Sequence, residues 1–327
     1  MKTLPILIDC DPGADDTFAL IWALILHSKE NNPLQIKAIT TSGGNVSADK
    51  TYLNALRMCQ FVGVDNVPLG KDLRPVKSQN DASHIHGDDG IGNLSSLLPD
   101  PSQFFLNSSP ISSVDLIIQT IQSHPWITIL ATGPMTNLAA AEQKFPWILS
   151  QCQYIIAMAW ASKVWWNITP VSEFNVWYDA PATEYVVNHC NNLIIIPLDV
   201  TMSFVYSSNE TEQILGQINH SNKAEFLRRL TTFTIGTNKM FRETNYEEWF
   251  FVHDAHTIGF LMYPHLYKWS FVDLNIETTG QYTRGMTVVD RRNHSRIGFR
   301  KTMRVTDVDK YWFLEAMTED FKQFDFE

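Results

Sequence analysis

Short apolar runs alternate along the chain with longer stretches whose apolar positions recur at helical spacing. The first run predicts a strand over Leu4 to Asp9. Pro12 and Gly13 turn the chain, and a helix follows from about Asp15 with Phe18, Ile21, Trp22 and Ile25 on one face. A second strand, Gln35 to Thr41, ends at Gly43-Gly44, and a helix is expected from Ala48 to Val62. Ser78 to Ser96 is polar, Gly-rich and read as a loop. Further strands are expected at Ile127 to Ala131, Tyr154 to Ala159, Leu193 to Leu198, Thr287 to Asp290 and Phe299 to Val305. Ser207 to Val252 has a mostly helical pattern, and a last helix is placed at Val308 to Phe321. This alternation predicts an α/β fold: one domain over residues 1–327, with an open, mostly parallel sheet flanked by helices.

In such sheets ligands sit at the carboxyl ends of strands. That places candidate chemistry at Asp9 to Asp16, Gly43 to Asn45, Thr132 to Asn137 and Leu198 to Thr201. The first of these, Asp9-Cys10-Asp11-Pro12-Gly13-Ala14-Asp15-Asp16, crowds four carboxylates into one strand-to-helix turn. Like charge at that density is costly unless a cation neutralises it, and several oxygens converging on one point suit calcium or magnesium better than zinc. A capped helix with solvated acids is the plain alternative. An Asp-x-Asp after a first strand also resembles phosphotransferases of the haloacid-dehalogenase type, although those follow the second Asp with Gly-Thr or a similar pair.

Composition narrows the choice. The chain has 327 residues, 44% hydrophobic and only 18% charged, enough for a large core and against long disordered stretches. Its net charge of −10 and lack of a basic stripe argue against nucleic acid as a partner and favour a small ligand. Cys10, Cys59, Cys152 and Cys190 are far apart, so reduced thiols in a cytoplasmic setting are expected. The apolar start is too short for a signal peptide, and Phe18 to Leu26 is too short for a membrane span.

The segment DCDPGADD resembles the amino-terminal signature of the inosine-uridine-preferring nucleoside hydrolases. Further segments agree in order: Ile39-Thr40-Thr41 leading to Gly44-Asn45, Ile85-His86-Gly87, Ala131 to Asn137, Asn167 to Asn175, Val252-His253-Asp254-Ala255, and Thr283 to Asp290. The resemblance implies a Rossmann-like nucleoside hydrolase fold and cleavage of ribonucleosides into ribose and free base. By position it implies Ca2+ held by Asp11, Asp16, the main-chain carbonyl of Thr132 and Asp254. Asp11 would be general base for the attacking water. Asp15, Asn45, Asn167, Glu173 and Asn175 would grip the ribose. Ile85, His86, Met158 and Phe174 would face the base. The stretch Tyr246-Glu-Glu-Trp-Phe-Phe before His253 is unfamiliar for the family, and Tyr246 or Trp249 in it is a further expected base contact. His253 would be the leaving-group acid. Family members are commonly homodimers or homotetramers.

The chemistry is coherent. Breaking a C1′–N bond builds positive charge on the sugar, so the site must activate water, stabilise a cation and neutralise the departing base. Asn and Glu pair with hydroxyls, which would select ribose over deoxyribose. The chain departs from the family pattern after Met158, where Ala159-Trp160 replaces Gly-Gly and Trp165-Trp166 precede Asn167. These tryptophans are read as core or subunit contacts, with stacking on a purine as the other reading. Two rival functions stay open: a phosphohydrolase with an Asp nucleophile, and a nucleoside-binding protein without turnover.

Overall fold

Strand β1 (Leu4–Cys10) lies inside the sheet, its last five residues buried. In the computed structural model all residues are described except 1–2, 30, 32, 76–80, 102–109, 162–166, 217, 219–220, 242–243, 293–297 and 327. Trp165 and Trp166 lie outside the described residues. After β1 come β2 (Leu34–Thr41), β3 (Leu69–Lys71), β4 (Ile111–Ser112), β5 (Thr128–Ala131), β6 (Tyr154–Met158), β7 (Leu193–Ile196), β8 (Tyr267–Ile276), β9 (Thr287–Asp290) and β10 (Arg300–Val308). They form one sheet in the order β4-β3-β2-β1-β5-β6-β7-β10-β8-β9. Pairing is parallel from β4 to β10, and β8 runs antiparallel to both β10 and β9.

The sheet is covered on both faces. Ile6 and Ile8 of β1 point into a core shared with the helices Ala14–Ser28, Ala48–Val62 and Asn222–Met240. Leu7, between them, points into the opposite core, shared with the helices Ser113–Ser123, Thr136–Lys144 and Ala180–His189. This alternation is the period of a strand. Burial on both sides explains why β5 (TILA) and β7 (LIII) are continuous apolar runs in the sequence. The helix Ala48–Val62 ends where Gly63 adopts φ +81°, a left-handed stop that a side chain would strain.

Order in the sheet places the functional region. The chain runs outward from β1 through β2, β3 and β4, then returns to β5 on the other side of β1 and runs outward again. The crevice between the carboxyl ends of β1 and β5 is thus a topological switch point. Among the described residues, no helix is long and apolar enough to cross a membrane.

Candidate active site

Three glycines let the backbone close around the end of β1. A β-carbon on Gly133 would lie 2.5 Å from Asp11 Oδ1, and one on Gly44 would meet Asp11 Oδ2. One on Gly13 would lie 2.6 Å from Asn45 Nδ2. The Gly-Gly after β2 and the Thr-Gly-Pro after β5 therefore make room for one carboxylate.

Asp11 is fully buried. Its Oδ2 accepts the backbone N–H of Asn45 at 2.9 Å, while Oδ1 is buried without a hydrogen-bond partner. Asn45 Nδ2 donates to Asp16 Oδ2 at 2.7 Å, and Thr132 Oγ1 donates to Asp16 Oδ1 at 2.9 Å. Asn45 and Thr132 thus tie the ends of β2 and β5 to the first turn of the helix Ala14–Ser28. The carboxylate oxygens of Asp15, Asp16 and Asp254 can lie within 4.8 Å of one another, with Asp16 and Asp254 buried and Asp15 half-buried. Burial, reinforced by the neighbouring acids, pushes Asp11 and Asp254 well above the usual carboxylate range and Asp16 up to about 7. A cation would relieve this crowding. The oxygen-only donor set and the orphaned Asp11 Oδ1 fit a hard divalent ion.

Asp9 stands one layer behind. Its Oδ1 accepts from Thr40 Oγ1 at 2.7 Å and from Asn137 Nδ2 at 2.8 Å. Burial outweighs both bonds and raises its carboxyl to about 6. Asn137 in turn accepts from Arg74 Nη2 at 2.7 Å, and Arg74 Nη1 donates to the Thr136 carbonyl at 2.7 Å. Asn137 therefore links Arg74 and Asp9 and fixes the loop after β5.

Asp15, Asp16 and Asp254 form the floor of a cavity of about 520 Å³, whereas the fully buried Asp11 is not among its lining residues. Of the predicted residues, Asp15, Asp16, Asn45, Thr132, Asn167, Glu173, Asn175, His253 and Asp254 line it, with Ile85, His86, Met158 and Phe174. Asn175 Nδ2 donates to the Thr132 carbonyl at 2.8 Å and to the Met158 carbonyl at 3.2 Å. Glu173 caps the short helix Phe174–Tyr178: its Oε1 accepts from Asn175 N at 2.9 Å, and its Oε2 from Trp160 N at 3.1 Å and Val176 N at 3.2 Å. Burial nevertheless raises its carboxyl to about 7. Asn167 Oδ1 accepts from Phe174 N at 2.9 Å. The Nδ1 of His86 accepts from Ala14 N at 3.1 Å, and the Nδ1 of His253 meets Thr201 Oγ1 at 2.7 Å. Burial lowers the pKa of both imidazoles, which favours the neutral rings.

Two expected base contacts are not among the residues that line the cavity. Tyr246 is 59% exposed, and Trp249 packs edge-on against Phe251, 5.0 Å between ring centroids. That segment lines the cavity with Asn245 and Phe251 instead. Trp160 is a core residue, 1% exposed, with φ +83° and the Arg304 guanidinium 5.4 Å from its ring. Sequence reasoning missed the wall formed by Thr234, Thr237, Asn238 and Phe241. Their i, i+3, i+4, i+7 spacing marks one face of the helix Asn222–Met240 and its cap, a signal present in the sequence.

Comparison with known proteins finds relatives over nearly the whole chain. Residues 6–315 match the family model described as inosine-uridine preferring nucleoside hydrolase. The chain is 32% identical over 323 residues to the pyrimidine-specific ribonucleoside hydrolase RihA of Citrobacter koseri, covering 97% of both chains. It is 33% identical over 327 residues to the RihA of Salmonella schwarzengrund, covering 98% of both. Among solved structures, a plant nucleoside hydrolase, the PpNRh1 enzyme, superposes with a TM-score of 0.85 at 25% identity, over 98% of this chain and 99% of that one. A purine-preferring ribonucleoside hydrolase from Gardnerella vaginalis superposes with a TM-score of 0.84 at 26% identity, over 98% of both. The chain belongs to the inosine-uridine preferring nucleoside hydrolase family, and it is an N-glycosidase of nucleosides.

Proposed function

We propose that this protein is a calcium-dependent ribonucleoside hydrolase in which Asp11 is the general base and His253 the donor to the leaving base. The observation that carries the reading is the convergence of Asp15, Asp16 and Asp254 on the floor of the cavity, with the unpartnered Oδ1 of Asp11 buried nearby. Asp11, Asp16, Asp254 and the Thr132 carbonyl would hold the ion, with Asp15 close enough to share in it. When bound, calcium would neutralise the crowded acids and make a water easier to deprotonate.

The remaining work falls to side chains. Asp11 Oδ1 has no hydrogen-bond partner, so it keeps lone pairs suited to take the proton of the attacking water. The Asn45 N–H holds the other oxygen and fixes the orientation of the group. Asp15, Asn45, Asn167, Glu173 and Asn175 would bind the ribose hydroxyls. The oxygens of Glu173 already accept backbone N–H groups, yet a carboxylate has about four acceptor sites, which leaves capacity for a hydroxyl. Carboxylates and amide oxygens on this floor supply negative potential where the sugar becomes cationic. His253 would donate to the departing base, its other nitrogen steadied by Thr201. Ile85, His86, Met158 and Phe174 would border that base. A cytoplasmic location is supported by four buried free cysteines, and a homodimer or homotetramer by family membership.

The test is a panel of inosine, uridine, cytidine and adenosine, assayed for ribose release with calcium and with a chelator. Ribose release that stops on chelation and returns with calcium is expected. Full turnover in chelator would remove the metal. Phosphate release from a phosphate ester, with no ribose from any nucleoside, would favour a phosphohydrolase. Tight nucleoside binding without turnover would favour a binding protein.

A further inference from the structure

The cavity wall formed by the helix Asn222–Met240 has an unusual polarity. Thr234, Thr237 and Asn238 all line the cavity, and each uses a donor hydrogen on a carbonyl of its own helix. Thr234 Oγ1 donates to the Leu230 carbonyl at 2.8 Å. Thr237 Oγ1 donates to the Thr234 carbonyl at 3.1 Å, and Asn238 Nδ2 donates to the same carbonyl at 2.9 Å. A hydroxyl has one hydrogen, so both threonines are left with lone pairs only. The amide of Asn238 is oriented by the same bond: its nitrogen faces a carbonyl and spends one of its two hydrogens there, which leaves Oδ1 as a free acceptor beside one remaining N–H. Thr234 and Asn238 are 5% and 7% exposed, so these acceptors are largely shielded from bulk water. Phe241, one turn on, makes an edge-to-face contact with His84, 5.3 Å between centroids. The wall therefore adjoins the loop that carries Ile85 and His86 and lies beside the expected position of the base.

Resting on the nucleoside hydrolase reading above, we infer that this face, with three acceptor oxygens against one remaining N–H, selects nucleosides whose base carries an exocyclic amino group, as in cytidine and adenosine. An amino group offers two N–H donors to the wall. Uridine and inosine present a carbonyl at the equivalent position, and a carbonyl facing fixed oxygen lone pairs is repelled and loses its water without replacement. Apart from the second amide hydrogen of Asn238, cavity groups that can donate, including His84, His86, His253 and Asn245, belong to other segments.

The test compares within pairs, cytidine with uridine and adenosine with inosine. Calorimetry gives the dissociation constants, and ribose release gives kcat/KM. The amino member should be favoured by about tenfold in each pair, the worth of about one hydrogen bond made against one lost. Thr237→Val should bring the two members of each pair toward equality, whereas Thr237→Ser, which keeps the acceptor, should preserve the preference. A ratio taken within one protein is not moved by a general loss of folded material. Equal binding of both members by the unaltered protein, or an unchanged ratio in T237V and in Asn238→Leu, overturns the inference. Preferential binding of the amino member without turnover supports it while refuting the catalytic reading.

Discussion

The backbone of Gly133 passes so close beneath Asp11 that a β-carbon there would stand 2.5 Å from Oδ1 and 2.9 Å from the carboxyl carbon. Both groups are held at the switch point, so neither can withdraw without moving a strand end. Gly133→Ala should therefore displace the carboxylate. A misplacement of about 1 Å at a reacting group costs on the order of 100-fold in rate, and overpacking costs about 1–3 kcal/mol of stability. Gly236→Ala is the matched control, because nothing lies within 4 Å of its added β-carbon. Kinetics and thermal melts of the two variants should separate cleanly. Near-normal activity in G133A would mean that the position of Asp11 is not critical.

Asp11 itself combines a cost in stability with a proposed gain in function. It is fully buried, its Oδ1 has no partner, and Asp15 and Asp16 repel its charge. Asp11→Asn removes the charge and leaves an oxygen to accept the Asn45 N–H. Turnover should fall by about 100- to 10,000-fold, the range for loss of a general base. In chelator, the same change should raise stability by about 1 kcal/mol or more, because an uncompensated buried charge is gone. With calcium present the stability gain should shrink or reverse. A variant that retains full activity would remove Asp11 as base.

These two sites also show how much was legible in the sequence. Strands buried on both faces appear as bare apolar runs, and the helix Ala48–Val62 shows its stop at Gly63, so the sheet centre and its flanking helix are readable. β8 was not anticipated. Its residues Trp269 and Phe271 are about half exposed, so the strand lacks the apolar signature of its central neighbours. β3 and β4 are only 3 and 2 residues long, too short to carry a period. In the site, acids and amides at strand ends were readable because strand ends have a known role in this architecture. Thr234, Thr237 and Asn238 share a helical spacing that is visible in the sequence, but polar residues on a helix usually mark a solvated face, so the spacing does not point to a cavity wall. Tyr246 and Trp249 were expected because aromatic residues beside a site suggest stacking; in the fold Tyr246 is exposed and Trp249 packs on Phe251, which itself lines the cavity.

Glu173 predicts a pH dependence of the metal-free protein. Burial raises its carboxyl from the ordinary value of 4.5 to about 7, against the pull of several backbone N–H groups. The folded chain therefore holds this proton at a pH where the unfolded chain has released it. The resulting stabilisation is complete below about pH 4.5 and is lost as pH rises through about 7. Its size is on the order of 3 kcal/mol across that window. Denaturant melts in chelator should show stability falling over this interval, and Glu173→Gln should flatten the fall. An unchanged slope in E173Q would assign the titration to other carboxyls.

His253 depends on Thr201 for its orientation, the hydroxyl and Nδ1 being 2.7 Å apart. Thr201 is fully buried in the short helix Leu198–Thr201, so the hydroxyl is fixed by the fold rather than by substrate. When the hydroxyl donates to Nδ1, the ring proton is left on Nε2, free to meet the leaving base. Thr201→Val keeps the shape of the residue and removes this bond. The expected result is a fall in kcat of about tenfold, the equivalent of one hydrogen bond acting in the transition state, with KM little changed. The loss should be largest for natural nucleosides and smallest for a substrate whose leaving group needs no proton, such as p-nitrophenyl riboside. An equal loss on both substrates would show that Thr201 supports the cavity as a whole, and the assignment of His253 as the donor would lose its main structural support.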